Sequence, residues 1–263
     1  MKKAMMYLLL ALGITLIVVF IGGALVGVIA GFIDGYQGNN MGTTSPTSIM
    51  IYAGSVSVLL VCAILNWVFL RYRFASYTIG RIPQSMSVRW KIALGMVMAM
   101  AGAAVMYYLM MDASKNFGGG EEIKESFLWM RQHPVFSMLV LVIMEATGNL
   151  VLYAAVLREL LEWKHRPAII IFVVAIIMGA ISLLGGNPML FLPSSLIAKL
   201  EGWVYEYTRS IIPLIIGDVV FWAVMLCLVG IPTHGWWFLV AGVLMVPGIL
   251  LALNPMEPYK PID

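Results

Sequence analysis

Residues 134–158 read PVFSMLVLVIMEATGNLVLYAAVLR, an apolar run with a single acidic residue, Glu145, close to its middle. A helix that crosses a bilayer needs about 20 mostly apolar residues, and this run is longer than that. A carboxylate is costly in hydrocarbon and faces the bundle interior when it occurs there. The run therefore predicts a membrane-spanning helix whose acidic side chain points at other helices.

Seven further apolar runs lie on either side of this one, at residues 5–33, 49–71, 91–111, 167–186, 189–206, 210–230 and 235–254. Apolar residues make up 62% of the chain and charged residues 11%, whereas a soluble domain carries about 25% charged residues. We therefore predict an all-α, polytopic integral membrane protein with about eight transmembrane helices in a single domain, residues 1–263. The run 189–206 contains Pro193, Lys199 and Glu201, and a short, re-entrant or partly interfacial segment is the alternative there.

Lysine and arginine are unevenly distributed among the connections between these runs. They concentrate in or beside residues 1–4, 72–90, 159–166, 207–209 and the C-terminal tail. Basic residues in short connections mark the cytoplasmic side of a membrane protein. We therefore predict a multi-pass protein of the cytoplasmic (inner) cell membrane with both termini in the cytoplasm and residues 35–48 and 112–133 outside.

Side chains typical of metal, cofactor or nucleic-acid sites are scattered. Cys62 and Cys227 lie in different apolar runs, and the three histidines lie at the ends of different runs. No basic segment with interleaved aromatic residues is present, as nucleic-acid binding would favour. The sequence predicts no metal, no cofactor and no nucleic-acid partner, and it leaves the lipid bilayer as the surrounding partner.

Two acidic residues lie deep in predicted spans. Glu145 is roughly 16 Å from the outer end of its run, and Asp218 is roughly 13 Å from the inner end of its run, at 1.5 Å per residue. Asn149 lies four residues after Glu145 and shares its helix face, and Gly148 would let a neighbour approach closely. These residues either bond across helices or form a site that binds or processes a ligand. An ion pathway would need a chain of further acids.

Two segments resemble a known membrane family. Residues 145–167 read EATGNLVLYAAVLRELLEWKHRP, and residues 202–222 read GWVYEYTRSIIPLIIGDVVFW. They are similar to the CPBP family of CAAX proteases and bacteriocin-processing proteins, also called the Abi family. The matching positions are Glu145, Gly202, Trp203, Tyr205, Glu206, Thr208, Ser210 and Pro213. The resemblance implies a CPBP-like helical core over about residues 134–231.

The catalytic positions of that family are mostly replaced in this chain. In the family, a glutamate is thought to activate water while histidine and asparagine side chains bind the water and stabilise the oxyanion. Here Ala146 replaces a glutamate and Leu150 an arginine, Met178 and Ser182 fall where the family has phenylalanine and histidine, and Asp218 replaces a histidine. Phe221 or Trp222 takes the place of the asparagine. The resemblance therefore implies a degenerate site around Glu145.

We accordingly predict a catalytically inactive CPBP-like protein that binds a membrane protein or peptide partner, in the manner of a subunit of a membrane complex. The alternative is an intramembrane peptidase in which Glu145 and Asp218 share a proton, as an aspartic dyad does. A transporter is the third class, although the sequence lacks the inverted repeat typical of one. The distance between the two carboxyl groups discriminates among these functions.

Overall fold

The computed structural model describes residues 2–36, 46–78, 85–113, 127–163, 166–184 and 188–254. Within these ranges the chain is all-helical and has no strand. An isolated β-bridge joins Thr78 and Ser210. The prediction of an all-α fold is confirmed.

A helix coincides with each of the eight apolar runs. We label them in chain order as α1 (Lys2–Tyr36), α2 (Pro46–Arg71), α3 (Met86–Ala113), α4 (Pro134–Trp163), α5 (Pro167–Leu184), α6 (Phe191–Thr208), α7 (Ile212–Leu228) and α8 (Trp237–Leu253). Helix α4 is interrupted in its middle, where Leu150–Leu157 form a π-helical segment with wider turns. A short 3-10 turn, Pro188–Leu190, precedes α6.

Three helices in the described part of the chain are long and apolar enough to cross a membrane. The stretches are Gly54–Arg71, Met86–Ala113 and Pro134–Trp163. Shorter apolar stretches occur in α5 (Pro167–Ile181), α7 (Ile212–Leu228) and α8 (Trp237–Leu253). They measure about 22 Å in α5 and about 26 Å in α7 and α8, less than the hydrocarbon thickness of about 30 Å. These helices are compatible with a membrane protein.

Helix α3 lies at the centre of the bundle, between α7 and α8. Its contact with α8 is close because small residues face one another. A Cβ atom added at Gly95 would lie 2.4 Å from the backbone nitrogen of Ala252, and one added at Gly248 would lie 2.4 Å from that of Ala99. The two backbones therefore touch, the arrangement by which small residues hold helices together in lipid through van der Waals packing.

The turn between α6 and α7 is short and held by hydrogen bonds from its own side chains. Arg209 adopts a left-handed conformation with φ 50°. The hydroxyl of Thr208 accepts the backbone N–H of Ser210 at 3.2 Å, and that of Ser210 accepts the N–H of Ile212 at 3.3 Å. Because the turn is short, residues on α6 and α7 that are equally far from it can lie close to each other.

Candidate functional site

Four polar side chains from three helices meet in the interior of the bundle. We call them the buried polar cluster: Asn149 and Tyr153 from α4, Glu201 from α6 and Asp218 from α7. Each is between 1% and 7% exposed. Buried polar groups are costly unless they bond to one another, and these four do so.

Hydrogen bonds join the cluster into one network. The Asn149 amide donates to Oδ2 of Asp218 at 2.6 Å, and the Tyr153 hydroxyl donates to Oε2 of Glu201 at 2.7 Å. The carboxyl groups of Glu201 and Asp218 lie within hydrogen-bonding range of each other. A hydrogen bond between two carboxyl groups needs a proton on one of them. With that proton in place, the pair carries at most one negative charge.

The positions of the cluster residues follow from the helices that carry them. Glu201 lies seven residues before the end of α6, and Asp218 lies six residues after the start of α7. At 1.5 Å per residue, both are about 10 Å from the shared turn. Asn149 and Tyr153 are four residues apart on α4, and the π-helical segment begins between them at Leu150. Such segments occur frequently at functional sites.

Glu145 lies beside the cluster and has a different partner. Its Oε1 accepts the indole N–H of Trp222 at 3.0 Å, and its side chain is half-buried. The ring of Trp222 in turn stacks against Phe127, with centroids 6.0 Å apart. The two acids that lie within hydrogen-bonding range of each other are thus Glu201 and Asp218, while Glu145 bonds to an aromatic side chain.

The remaining predicted site residues have mixed surroundings. Leu150 is completely buried in the apolar core, where an arginine of the family pattern would need a charged partner. Ala146 is half-buried, and Met178 packs against the core from α5. Ser182 belongs to α5, but its side chain lies outside the described part of the structure. None of these described side chains supplies a donor to Glu145 or Asp218.

A second hydrogen-bonded chain joins α2 to α4 beside Glu145. The Asn66 amide donates to the Thr147 hydroxyl at 2.6 Å, and the Tyr77 hydroxyl donates to Oδ1 of Asn66. Burial raises the pKa of Tyr77, so this hydroxyl remains a donor. The neighbouring Gly148 is exposed, and an added Cβ atom there would meet nothing within 4 Å. The close approach of a neighbouring helix that the sequence predicts at Gly148 is therefore not made by any described helix of this chain.

The sequence pattern does not single out Glu201 and Tyr153 as site residues. In the sequence, Glu201 only makes the run 189–206 less apolar. Among the residues that the structure describes, no group of three or more His, Cys, Asp or Glu side chains could hold a metal ion. The chemistry available to the cluster is hydrogen bonding around one shared proton, with Tyr153 and Asn149 as fixed donors.

No family model, no curated protein and no solved structure matches this chain.

Proposed function

We propose that the chain is a catalytically inactive CPBP-like membrane protein that binds a membrane protein or peptide. In this proposal all eight helices cross the cell membrane, and both termini are cytoplasmic. The observation that carries the loss of catalysis is that the acidic residues already interact with neighbouring side chains. Glu145 holds Trp222, and Asp218 holds both Asn149 and Glu201.

Hydrolysis of a peptide needs a different arrangement. A general base must reach a water beside the substrate carbonyl, and donors must lie about 3 Å from the oxygen that becomes negative. The cluster is more than nine-tenths buried, and the donors on Asn149 and Tyr153 are already directed at Asp218 and Glu201. Because these donors are already engaged with the acids, the arrangement favours a structural role for the four side chains of the cluster.

Contacts among the connections support the proposed topology. Arg158 at the inner part of α4 donates to the carbonyl oxygen of Phe74 at 3.0 Å, and Thr78 forms a bridge with Ser210. Three connections expected in the cytoplasm therefore meet at one face of the bundle. At the opposite face, the Tyr108 hydroxyl donates to the carbonyl oxygen of Ile231 at 2.8 Å. This bond joins the end of α3 to the connection between α7 and α8, both of which are expected outside the cell.

A lateral groove supports the choice of partner. It has a volume of about 210 Å³, lies between α1, the π-helical segment of α4 and α5, and is lined by Ala4, Met5, Leu8, Leu152, Val156, Leu160, Val174, Ile177 and Met178. Every lining side chain is apolar, so the groove suits an apolar helix that crosses the membrane beside it. Gly148, one turn from Leu152, leaves room for close approach. The partner in this proposal is therefore a single membrane-spanning helix.

The test combines crosslinking with a search for cleavage products. A photo-crosslinking residue at Ile177, in the groove, should capture a partner, whereas the same residue at Leu239 on α8 should not, although both sites are more than half exposed. Membranes from cells with the native chain, Glu145→Gln or Asp218→Asn should contain the same peptide fragments. Equal capture at Ile177 and Leu239 would contradict a specific partner in the groove.

An intramembrane peptidase is the second candidate because two buried carboxyl groups lie within hydrogen-bonding range of each other. That pair is Glu201 and Asp218, so Glu201→Gln belongs in the same comparison. Fragments present with the native chain and lost with both Glu201→Gln and Asp218→Asn would favour the peptidase. Fragments lost with Glu145→Gln and Asp218→Asn would favour the dyad that the sequence suggests.

A further inference from the structure

A cleft opens between the start of α3 and the turn that joins α6 to α7. Its volume is about 190 Å³, and its lining residues are Arg89, Ile92, Ala93, Thr208, Ser210, Ile212, Pro213 and Ile216. The cleft is separate from the buried polar cluster and from the groove at α1. We propose that it binds an anionic phospholipid, with the phosphate at Arg89 and an acyl chain along the isoleucine side chains.

The polar side chains of the cleft lie at the helix ends, and the apolar side chains lie further along the helices. A phospholipid has its headgroup and acyl chains in the same order. Arg89 is in the first turn of α3, and Ser210 is just before the first turn of α7. Ala93 lies one turn beyond Arg89, and Ile216 lies one turn beyond Ile212, so the apolar wall is about 6 Å deeper along each helix. A lipid whose phosphate lies level with the helix ends would place its first methylene groups against that wall.

The charge of the cleft selects an anionic lipid. The Arg89 side chain is exposed, and a guanidinium group forms paired hydrogen bonds with phosphate oxygens. Ser210 accepts the N–H of Ile212 and retains its own hydroxyl hydrogen as a donor group. Basic pockets between membrane helices on the cytoplasmic side suit anionic headgroups, and Arg89 lies in a connection expected on that side.

The walls of the cleft are fixed before a lipid arrives. Besides its bond with Ser210, Thr208 donates to the carbonyl oxygen of Val204 at 2.7 Å, and the bridge between Thr78 and Ser210 holds the turn from the other side. Ile211, which follows Ser210, is completely buried. Because the turn is rigid, binding would order the lipid and not the protein, which lowers the entropic cost of association.

Native mass spectrometry of the full-length chain in mixed micelles tests this assignment. Phosphatidylglycerol and phosphatidylcholine with the same acyl chains would be titrated separately, and the affinity for the first bound lipid would be measured. We expect tighter binding of phosphatidylglycerol and an approximately fivefold weaker affinity with Arg89→Gln, since one basic residue near the surface contributes about 1 kcal/mol. Lys91→Gln is the matched control, because it removes the same charge two residues away without lining the cleft.

A second variant tests the apolar part of the cleft. Ile216→Trp should fill the space for the acyl chain and weaken phosphatidylglycerol binding at least as much as Arg89→Gln does. Inorganic phosphate at millimolar concentration should not compete, because it cannot occupy the apolar wall. Equal losses with Arg89→Gln and Lys91→Gln, or full binding by Ile216→Trp, would overturn the proposal. Full competition by inorganic phosphate would replace the lipid by a free phosphate ligand.

Discussion

Replacing Asp218 with leucine removes the acceptor on which the buried polar cluster depends. Leucine is close to aspartate in length and has no polar atom, so the main change is the loss of hydrogen bonds. The Asn149 amide and the Glu201 carboxyl group would both lose their partner on α7. Asp218→Asn is the companion variant, because its amide oxygen can accept from Asn149 while its N–H₂ group donates to Glu201.

The expected loss follows from the two groups left without a partner. An unsatisfied buried polar group costs about 1–3 kcal/mol, which gives about 2–6 kcal/mol for two. Hydrogen bonds between helices in membranes contribute less, on average about 0.6 kcal/mol each, and leucine avoids the cost of burying a carboxylate. We therefore expect Asp218→Leu to lower the free energy of unfolding by about 2–4 kcal/mol, and Asp218→Asn by about 1 kcal/mol or less.

Equilibrium unfolding in mixed micelles with increasing sodium dodecyl sulfate measures both losses. Glu162→Leu is the control, since the Glu162 side chain is 60% exposed near the end of α4, and its replacement should change stability by less than about 0.5 kcal/mol. If Asp218→Leu and Asp218→Asn are equally stable, the cluster does not hold α4, α6 and α7 together, and the reasoning is refuted.

Further outcomes follow from other contacts. Glu145→Gln should keep the fold, because Gln can still accept the Trp222 N–H, whereas Glu145→Leu should cost about 1–3 kcal/mol in the same unfolding assay; equal stability of the two would contradict this. Gly248→Ala should destabilise by about 1–3 kcal/mol, because its Cβ would overlap α3, while Gly242→Ala meets nothing within 4 Å and should be neutral. A cysteine at Gly38, outside the described residues, should react with an impermeant thiol reagent in intact cells; labelling only after permeabilisation would refute the topology.

The helices could be predicted from the sequence because hydrophobicity in long runs decides them. A chain in hydrocarbon must satisfy its backbone groups internally, and a helix does this within each run. The bounds of α4 and α7 differ from the predicted runs by only a few residues. The π-helical geometry of Leu150–Leu157 could not be predicted from the sequence. Its residues are apolar like those of the neighbouring α-helical turns, and its wider turns depend on the packing around them.

The site was predictable in part. The sequence points to Glu145, Asn149 and Asp218 because each is a polar residue in an apolar run. It does not point to Glu201, because α6 also carries Lys199 and Pro193 and an acidic residue there does not stand out. Glu201 can pair with Asp218 because the two residues lie at nearly equal distances from the turn at Arg209. This can be seen only when the end of α6 and the start of α7 are known. Tyr153 has an apolar ring, and only its position opposite Glu201 gives the hydroxyl a role.

The close contact between α3 and α8 has a consequence for the order in which the protein is assembled. Roughly 120 residues separate Ala113, the end of α3, from Trp237, the start of α8. At a synthesis rate of about 5–20 residues per second, α3 is complete some 6–25 s before its partner is made. During this time the backbone at Gly95 and Ala99 lacks the neighbour that covers it in the finished bundle. A ribosome that stops before α8 leaves a bundle with an open central helix, and cellular quality control can recognise such a chain as unfinished.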